Sequence, residues 1–241
     1  MKHVFWTLML AFFVAVGCNS DKGGSGKVVV KGQLAGGDGQ IIKLSIADGN
    51  TPKALDSVAL GGDGSFELEA KINTPRFLYL GQLDEGNFIQ LIAKPGQTIS
   101  IDGQFEQMGQ NFKVEGSAAT TELKSLSDKR MAVQEKLKGI QAEYAQKTNA
   151  EKDEAKVAAL EQEKNAKLQE IFNSYITESK GFIEENPGSL AAIVALSDLK
   201  PEEDFVYYEK VDSGLMANYP DNPQVKQFHA FVENRKQQMD A

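Results

Sequence analysis

The segment GGDGSFELE at residues 61–69 shows the pattern that decides the fold of the N-terminal half: a glycine-rich turn followed by a half-buried strand. Phe66 and Leu68 alternate with a serine and two glutamates, which is the period-2 spacing of a strand with one buried face. The glycines before this strand suit a hairpin turn, because glycine tolerates a positive φ angle. The segment therefore predicts a β-hairpin in this part of the chain.

Similar short runs, separated by Gly, Asp and Pro, continue on both sides of this segment over residues 27–115. They predict eight strands, at 28–34, 41–46, 54–60, 65–72, 77–83, 88–93, 98–101 and 112–115. Many short strands at regular spacing favour an antiparallel sandwich or barrel. We expect residues 27–116 to form a β-rich domain with an antiparallel, sandwich-like arrangement.

The composition changes after Gly116, where alanine, lysine, glutamate and glutamine become dominant. Apolar residues with 3-4 spacing predict a long helix with a stripe typical of coiled coils. The stripe contains Leu123, Leu126, Val133, Leu137, Ile140 and Tyr144, with Arg130 at one of its positions. Thr148 and Glu151 have the spacing of a capping box and predict the start of a second long helix.

Two long helices joined by a short polar break suggest an antiparallel hairpin. Shorter helices are expected at 189–197, from Pro201 and from Pro223 to about residue 238. The fold class predicted for the whole chain is α+β. An antiparallel β-sandwich-like domain is followed by a helical region, residues 117–241, with a long hairpin and short C-terminal helices.

The first eighteen residues have the layout of a bacterial lipoprotein signal. Lys2 precedes an apolar run at 4–16, and small residues precede Cys18. The run is shorter than the roughly 20 apolar residues that a membrane-spanning helix needs. It predicts a signal peptide at 1–17, cleaved before a lipid-modified Cys18. Residues 18–26, which include NSDKGGSG, predict a flexible tether.

Charge and cysteine content restrict the possible functions. The formal net charge of −8 argues against nucleic-acid partners and against electrostatic docking on anionic lipid, so attachment to a membrane is expected through the acyl chains on Cys18. Cys18 is the only cysteine, which excludes a disulfide and two-cysteine redox chemistry within this sequence. No catalytic residue set is recognisable, and no cofactor or metal site is expected.

Two groups of residues are candidate sites for metal ions. His229, in the last predicted helix, has no neighbouring histidine or cysteine at ligand spacing, so a packing or helix-surface role is expected. Asp38, Asp63 and Asp102 each precede a glycine. They lack the alternating acidic residues of a calcium loop, and turn chemistry is expected for them.

The aromatic residues Phe205, Tyr207 and Tyr208 are a candidate binding surface. They could line a groove for a peptide or a glycan, but packing against neighbouring helices is expected. The charged faces of the long helices could clasp a partner, whereas a solvated surface with i,i+4 ion pairs is the expected structure.

An ordered set of short motifs resembles a known family. DSV at 56–58, GSF at 64–66, KPGQTISI at 94–101 and VEGS at 114–117 resemble an N-terminal domain of unknown function in bacterial envelope lipoproteins. These lipoproteins are of the thioredoxin-like, thiol–disulfide oxidoreductase type. The resemblance implies a β-rich domain, a helical segment and then a thioredoxin-fold domain with a Trp-Cys-x-x-Cys site. The present sequence has no Cys-x-x-Cys, so the catalytic residues of the family correspond to no position in it.

The sequence thus leads to one leading function and one alternative. The leading expectation is a membrane-anchored cell-envelope lipoprotein that binds a peptide, glycan or protein without catalysis. The alternative is the non-catalytic N-terminal part, or a partner, of a thioredoxin-like thiol–disulfide oxidoreductase system. Asn19 follows the lipidated cysteine in place of an inner-membrane aspartate signal and mildly favours the outer membrane. The oligomeric state stays open, since the hairpin could pair within one chain or between two.

Overall fold

The computed structural model describes residues 26–48 and 51–239. The predicted signal peptide, Cys18 and most of the predicted tether lie outside these residues. All eight predicted strands are present, together with a short 3₁₀ turn at Leu83–Glu85. The strands are β1 (Lys27–Ala35), β2 (Ile41–Asp48), β3 (Thr51–Ala59), β4 (Ser65–Lys71), β5 (Arg76–Gln82), β6 (Asn87–Ala93), β7 (Thr98–Gln104) and β8 (Phe112–Glu115).

The strands form two four-stranded sheets that are mostly antiparallel. Sheet 1 has the order β4-β1-β7-β8, and sheet 2 has the order β3-β2-β5-β6. The pair β1–β7 is parallel, with Val30 opposite Ile99. After β1 the chain returns to sheet 1 first as β4, antiparallel to β1, and later as β7, parallel to β1, which the local strand pattern could not show. Gly32 permits the close approach of these two strands, because a Cβ there would lie 1.8 Å from the carbonyl oxygen of Ile101.

The glycine-rich segment at 61–64 forms a corner between the two sheets. The turn is present, since the amide of Gly64 donates to the carbonyl oxygen of Gly61 at 2.8 Å. The prediction of a hairpin was nevertheless wrong, because β3 pairs with β2 and β4 pairs with β1. Asp56 on β3 bridges the two sheets at this corner, where its Oδ2 accepts the backbone amide of Glu69 at 2.8 Å.

The two sheets enclose one apolar core. The alternation in the segment 65–69 is explained by this core, since Phe66 and Leu68 point into it. Fully buried core side chains come from both sheets, such as Val30 and Ile99 in sheet 1 and Leu44 and Leu80 in sheet 2, which makes the domain a sandwich. Asp102 lies within β7, opposite Lys113, so the turn expected at this residue was wrong. The strand continues through Gly103 to Gln104.

Five helices follow the sandwich. They are α1 (Ala118–Ala150), α2 (Glu154–Glu185), α3 (Ala191–Leu196), α4 (Pro201–Asn218) and α5 (Pro223–Met239). Lys129 contacts Glu178, whereas Tyr144, later in α1, contacts Lys167, earlier in α2; the two helices therefore form an antiparallel hairpin. None of the helices in the described part of the chain is long and apolar enough to cross a membrane.

The break between α1 and α2 lies further along the chain than the capping-box pattern predicted. Asp153 is the N-cap of α2, and its Oδ1 accepts the amides of Ala155 and Lys156 at 2.9 and 3.3 Å. Thr148 instead lies inside α1, where its hydroxyl donates to the carbonyl oxygen of Tyr144 at 2.9 Å. Asp and Thr are both suitable N-cap residues, so the sequence alone did not decide which of them precedes α2.

The first turn of α1 covers the open edge of sheet 2. The amide of Ile92 in β6 donates to Oγ1 of Thr120 at 3.0 Å, and Oγ of Ser117 donates to the carbonyl oxygen of Ile92 at 2.7 Å. Ser117 is also the N-cap of α1, because its Oγ accepts the amide of Thr120 at 3.1 Å. Two hydroxyl groups therefore take the place of a neighbouring strand at this edge.

A second apolar core lies between sheet 2 and the helices. Phe77 and Ile92 face away from the sandwich core and pack with buried residues of all five helices. Because β5 and β6 are covered on both faces, they form the middle layer of the molecule. This arrangement brings the β6 edge, α1 and α3 together around a groove.

Candidate functional site

A groove of about 160 Å³ lies where sheet 2 meets the helices, and we call it the sheet–helix groove. It is lined by the apolar residues Phe88, Phe112, Leu123, Leu126 and Val194, by Gly109, and by the polar residues Gln90, Lys124, Ser127 and Arg130. Strand β6, the start of β8, one face of α1 and the middle of α3 each contribute to its walls.

Helix α1 supplies half of the lining because of its residue spacing. Leu123, Leu126, Ser127 and Arg130 stand at i, i+3, i+4 and i+7, which places them on one face of the helix. Leu123 and Leu126 are 4% and 7% exposed, so they belong to the helical core and to the groove wall at once. The face that packs the helix onto the sheet therefore also shapes the groove.

The loop between β7 and β8 is held tightly against β6 on the opposite side of the groove. Asn87 donates through Nδ2 to the carbonyl oxygen of Phe105 at 2.8 Å and accepts the amide of Met108 at 3.0 Å. Gly109 lies so close to β6 that a Cβ there would be 2.7 Å from the carbonyl oxygen of Phe88. These contacts fix this wall in the absence of a ligand.

Arg130 lies at one end of the groove and is held by a polar network between helices. Its Nε donates to the hydroxyl of Tyr175 at 3.2 Å, and its Nη2 donates to Ser197 Oγ at 2.8 Å and to Asp198 Oδ2 at 2.7 Å. The hydroxyl of Tyr175 donates to the same carboxylate oxygen at 2.6 Å. The network joins α1, α2 and the segment between α3 and α4.

Burial and hydrogen bonding in this network stabilise the protonated forms of Tyr175 and Arg130. Burial raises the pKa of Tyr175, and its hydrogen bond to Asp198 adds to the rise, so the hydroxyl stays protonated at neutral pH. Burial opposes the charge on Arg130, but hydrogen bonds to Tyr175 and Asp198 outweigh burial and raise the pKa of its guanidinium. Nη1 of Arg130 has no hydrogen-bond partner among the described residues, so it can donate to a ligand.

Lys124 provides a second positive charge along the groove. Its Nζ lies 5.1 Å from the centre of the Phe112 ring and 2.6 Å from Oδ2 of Asp128. The ring and the carboxylate hold the ammonium group near the apolar wall. The groove thus combines apolar walls with two cations.

This arrangement fits binding of an apolar group that lies beside an anion. The volume of about 160 Å³ is below the roughly 300–1,000 Å³ of pockets that enclose whole small molecules. It is suited to one large side chain, such as the anchor residue that a protein partner inserts into a pocket. A carboxylate next to that side chain would meet Lys124 or Arg130.

The structure places His229 away from the groove, on α5. Its Nδ1 donates to Oδ2 of Asp212 on α4 at 2.8 Å, and this hydrogen bond raises the pKa of His229. The packing or helix-surface role expected for His229 did not include a hydrogen bond to a carboxylate. No sequence signal joins Asp212 to His229, because they lie on different helices and their approach depends on how those helices pack.

The aspartates and aromatic residues that the sequence singled out also lie outside the groove. Asp38 lies in a turn, and Asp63 Oδ1 accepts the amide of Ser65 at 3.0 Å in the corner between the sheets. Tyr208 is 7% exposed and packs in the helical core, with Phe205 and Tyr207 beside it. The aromatic cluster is therefore used for packing.

The sequence placed Leu123 and Leu126 in the apolar stripe of α1 but predicted neither the groove nor its polar network. Arg130 interrupts the apolar stripe of α1, and a charged residue in such a stripe indicates a polar partner in the core. The partners Tyr175 and Asp198 are 45 and 68 residues further along the chain. Their identity depends on how α2 and α3 pack against α1.

Comparison with known proteins gives one match. Residues 28–123 match the family described as Domain of unknown function (DUF4369). The match covers all eight strands and ends in α1 at Leu123, so it includes the residues that close the β6 edge. It confirms that this segment is an N-terminal domain of unknown function, while the association with thioredoxin-like lipoproteins stays a prediction. No curated protein and no solved structure matches the chain.

Proposed function

We propose that this protein is a lipid-anchored cell-envelope lipoprotein that binds a partner protein through the sheet–helix groove and does not act as an enzyme. The observation that carries the proposal is the groove itself, which has apolar walls, a volume of about 160 Å³ and two cations. A segment of the partner would insert one apolar side chain and place a carboxylate beside it.

The polar groups of the groove support binding more than catalysis. Lys124 is paired with Asp128, and Arg130 is held by three side chains of other elements. Such cations are suited to recognising a carboxylate, because their positions are fixed before the ligand arrives. Ser127 is the one hydroxyl in the lining, and it makes no hydrogen bond to Lys124, whose Nζ is paired with Asp128 instead.

The N-terminal sequence supports the location that we propose. Residues 1–18 have the layout of a lipoprotein signal, with Cys18 as the residue that carries the acyl chains. The tether that follows would span roughly 15 Å on average, which would keep the sandwich and the helices close to the membrane surface. An outer-membrane location is mildly favoured by Asn19.

Photocrosslinking in the native host tests this function. A photoreactive amino acid at Ser127, on the groove, should give one discrete crosslinked product. The same amino acid at Glu135, two turns further along α1, should not give that product. Gln90→Trp should abolish the Ser127 product by filling the groove, whereas Gln104→Trp, on an exposed part of β7, should leave it intact.

Two results of this experiment would contradict the proposal. One is a product that appears equally from Ser127 and Glu135, because crosslinking would then be unrelated to the groove. The other is a Ser127 product that survives Gln90→Trp in a variant that still folds. Thermal unfolding of both tryptophan variants establishes that they are folded.

The alternative function is a non-catalytic part or partner of a thioredoxin-like thiol–disulfide oxidoreductase system. Its support is the resemblance of the motifs at 56–58, 64–66, 94–101 and 114–117 to the N-terminal domains of such lipoproteins. A crosslinked partner that contains a Cys-x-x-Cys site would favour this alternative. A partner without paired cysteines would favour the leading proposal.

A further inference from the structure

Three potential ligand side chains converge between the last two helices, far along the chain from the sheet–helix groove. Asp212 lies on α4, and His229 and Glu233 lie four residues apart on α5. One nitrogen or oxygen atom of each side chain lies within 4.8 Å of the corresponding atoms of the other two. Atoms at these separations can reach one cation after small side-chain rotations, since zinc binds nitrogen and oxygen at about 2.0–2.2 Å.

The carboxylate of Asp212 provides an independent reason to expect a ligand. The residue is 7% exposed, and its side chain is 10% exposed. Oδ2 is paired with Nδ1 of His229, but Oδ1 is buried and has no hydrogen-bond partner among the described residues. A buried carboxylate oxygen without a partner is costly. A cation would satisfy it, whereas the pair with His229 leaves it unsatisfied.

The other two side chains give a cation access to this carboxylate. The side chain of His229 is 41% exposed, and Glu233 is exposed. An ion can therefore reach the buried carboxylate from solvent. The cluster thus has one buried member that needs a partner and two exposed members that can complete a coordination shell.

We propose that Asp212, His229 and Glu233 form a site for a divalent cation of the zinc type. One imidazole nitrogen with two carboxylate oxygens suits zinc and similar borderline ions, whereas calcium and magnesium prefer oxygen ligands throughout. Three protein ligands leave a fourth position for water. Because the ligands come from both α4 and α5, the bound ion would fasten the last helix to the helical core.

Zinc titration of the full chain in detergent tests this site. The parent protein for the titration carries Cys18→Ser, because a free thiol would itself bind zinc. Isothermal titration should show one saturable site. His229→Gln and Glu233→Gln should each weaken zinc binding by at least about tenfold, since even the loss of an outer-shell partner commonly costs that much.

Glu209→Gln is the matched control, because it removes the same charge as Glu233→Gln from a half-exposed position on α4, one turn before Asp212, that is not part of the cluster. It should leave zinc affinity unchanged. Zinc should also raise the melting temperature of the parent and the control but not of His229→Gln. Gln at 229 keeps an amide donor for Asp212, so this variant is expected to fold.

The proposal is overturned if zinc in large molar excess gives no saturable binding to the parent. It is equally overturned if His229→Gln and Glu233→Gln bind zinc as tightly as Glu209→Gln does. In either case the cluster would be only an ion pair between helices. Neither result bears on the sheet–helix groove, so this site and the proposed function fail independently.

Discussion

At the scale of single residues, backbone geometry at the corner between the sheets makes one glycine indispensable. Gly64 has a φ angle of +81°, and a Cβ there would lie 2.2 Å from the carbonyl oxygen of Leu34. Gly62 is two residues earlier in the same turn, and a Cβ there would meet nothing closer than 4.0 Å. Alanine substitutions at these two glycines therefore distinguish the cost of backbone strain from the general effect of adding a methyl group.

Gly64→Ala should lower the free energy of unfolding by about 1–3 kcal/mol, because the left-handed backbone and the contact with Leu34 both oppose a Cβ. Gly62→Ala should change it by less than about 0.5 kcal/mol. Urea unfolding of both variants measures the difference. Equal stability of the two variants would show that the corner does not require this geometry.

Thr120 offers a second test at a single residue, because its hydroxyl accepts the buried amide of Ile92. Thr120→Val keeps the shape and leaves that amide unpaired, so the free energy of unfolding should fall by about 1–3 kcal/mol. Thr121→Val is the matched control, since the hydroxyl of Thr121 bonds only to its own helix, at the carbonyl oxygen of Ser117. Its effect should be below about 0.5 kcal/mol.

Denaturant unfolding compares these two valine variants as well. A similar loss of stability in both would mean that the hydroxyl of Thr120 does not close the β6 edge. A loss only in Thr120→Val would support the view that two hydroxyl groups replace a strand there.

At the scale of elements, the network around Arg130 joins helices α1 and α2 to the segment between α3 and α4. Arg130→Met and Asp198→Asn, alone and combined, form a double-mutant cycle for their half-buried pair. The coupling energy should be about 1–2 kcal/mol, because the pair is partly shielded from water and shares Tyr175. Chemical unfolding of the four proteins measures it.

The pair Glu135 and Lys138 on the exposed side of α1 gives the control for this cycle. Its coupling should stay below about 0.5 kcal/mol, because both side chains are more than 70% exposed. A coupling as small for Arg130 with Asp198 would contradict a structural role for the network.

The elements themselves were largely predictable from the sequence, but their arrangement was not. The eight strands were recognised as short runs between Gly, Asp and Pro. Alternation is clear where one face is buried, as in β4, but it is absent from β5 and β6, which are covered on both faces. The parallel pairing of β1 with β7 depends on residues about 70 positions apart, such as Val30 and Ile99. The turn at 61–64 was recognised from its glycines, although nothing local shows that it connects two different sheets.

The candidate site was predictable to the same extent: its local elements could be recognised, but the contacts between distant residues could not. Leu123 and Leu126 were expected in the apolar stripe of α1, because their spacing alone identifies them. The polar partners of Arg130 come from α2 and from the segment after α3, and no local pattern pairs them. The cluster of Asp212 with His229 was missed for the same physical reason, since it exists only after α4 packs against α5.

At the scale of the whole molecule, burial predicts an uneven distribution of stability. The start of α1 packs on β6, whereas no residue between Leu126 and Tyr144 in α1 is buried. Hydrogen exchange should show the highest opening free energies for β6 and the first turns of α1, with lower values in the middle of the hairpin. Uniform protection along α1 would contradict this distribution.

The proposal at the scale of the whole molecule is that lipid on Cys18 holds it at the membrane, where it binds a partner. The intact mass of the protein purified in detergent from its own host tests this claim most directly. Cleavage and acylation predict a chain that begins at Cys18 and carries acyl chains. A mass without lipid would contradict the anchor. A mass larger by a domain of roughly 100–150 residues would contradict the non-catalytic account and favour the thiol–disulfide alternative.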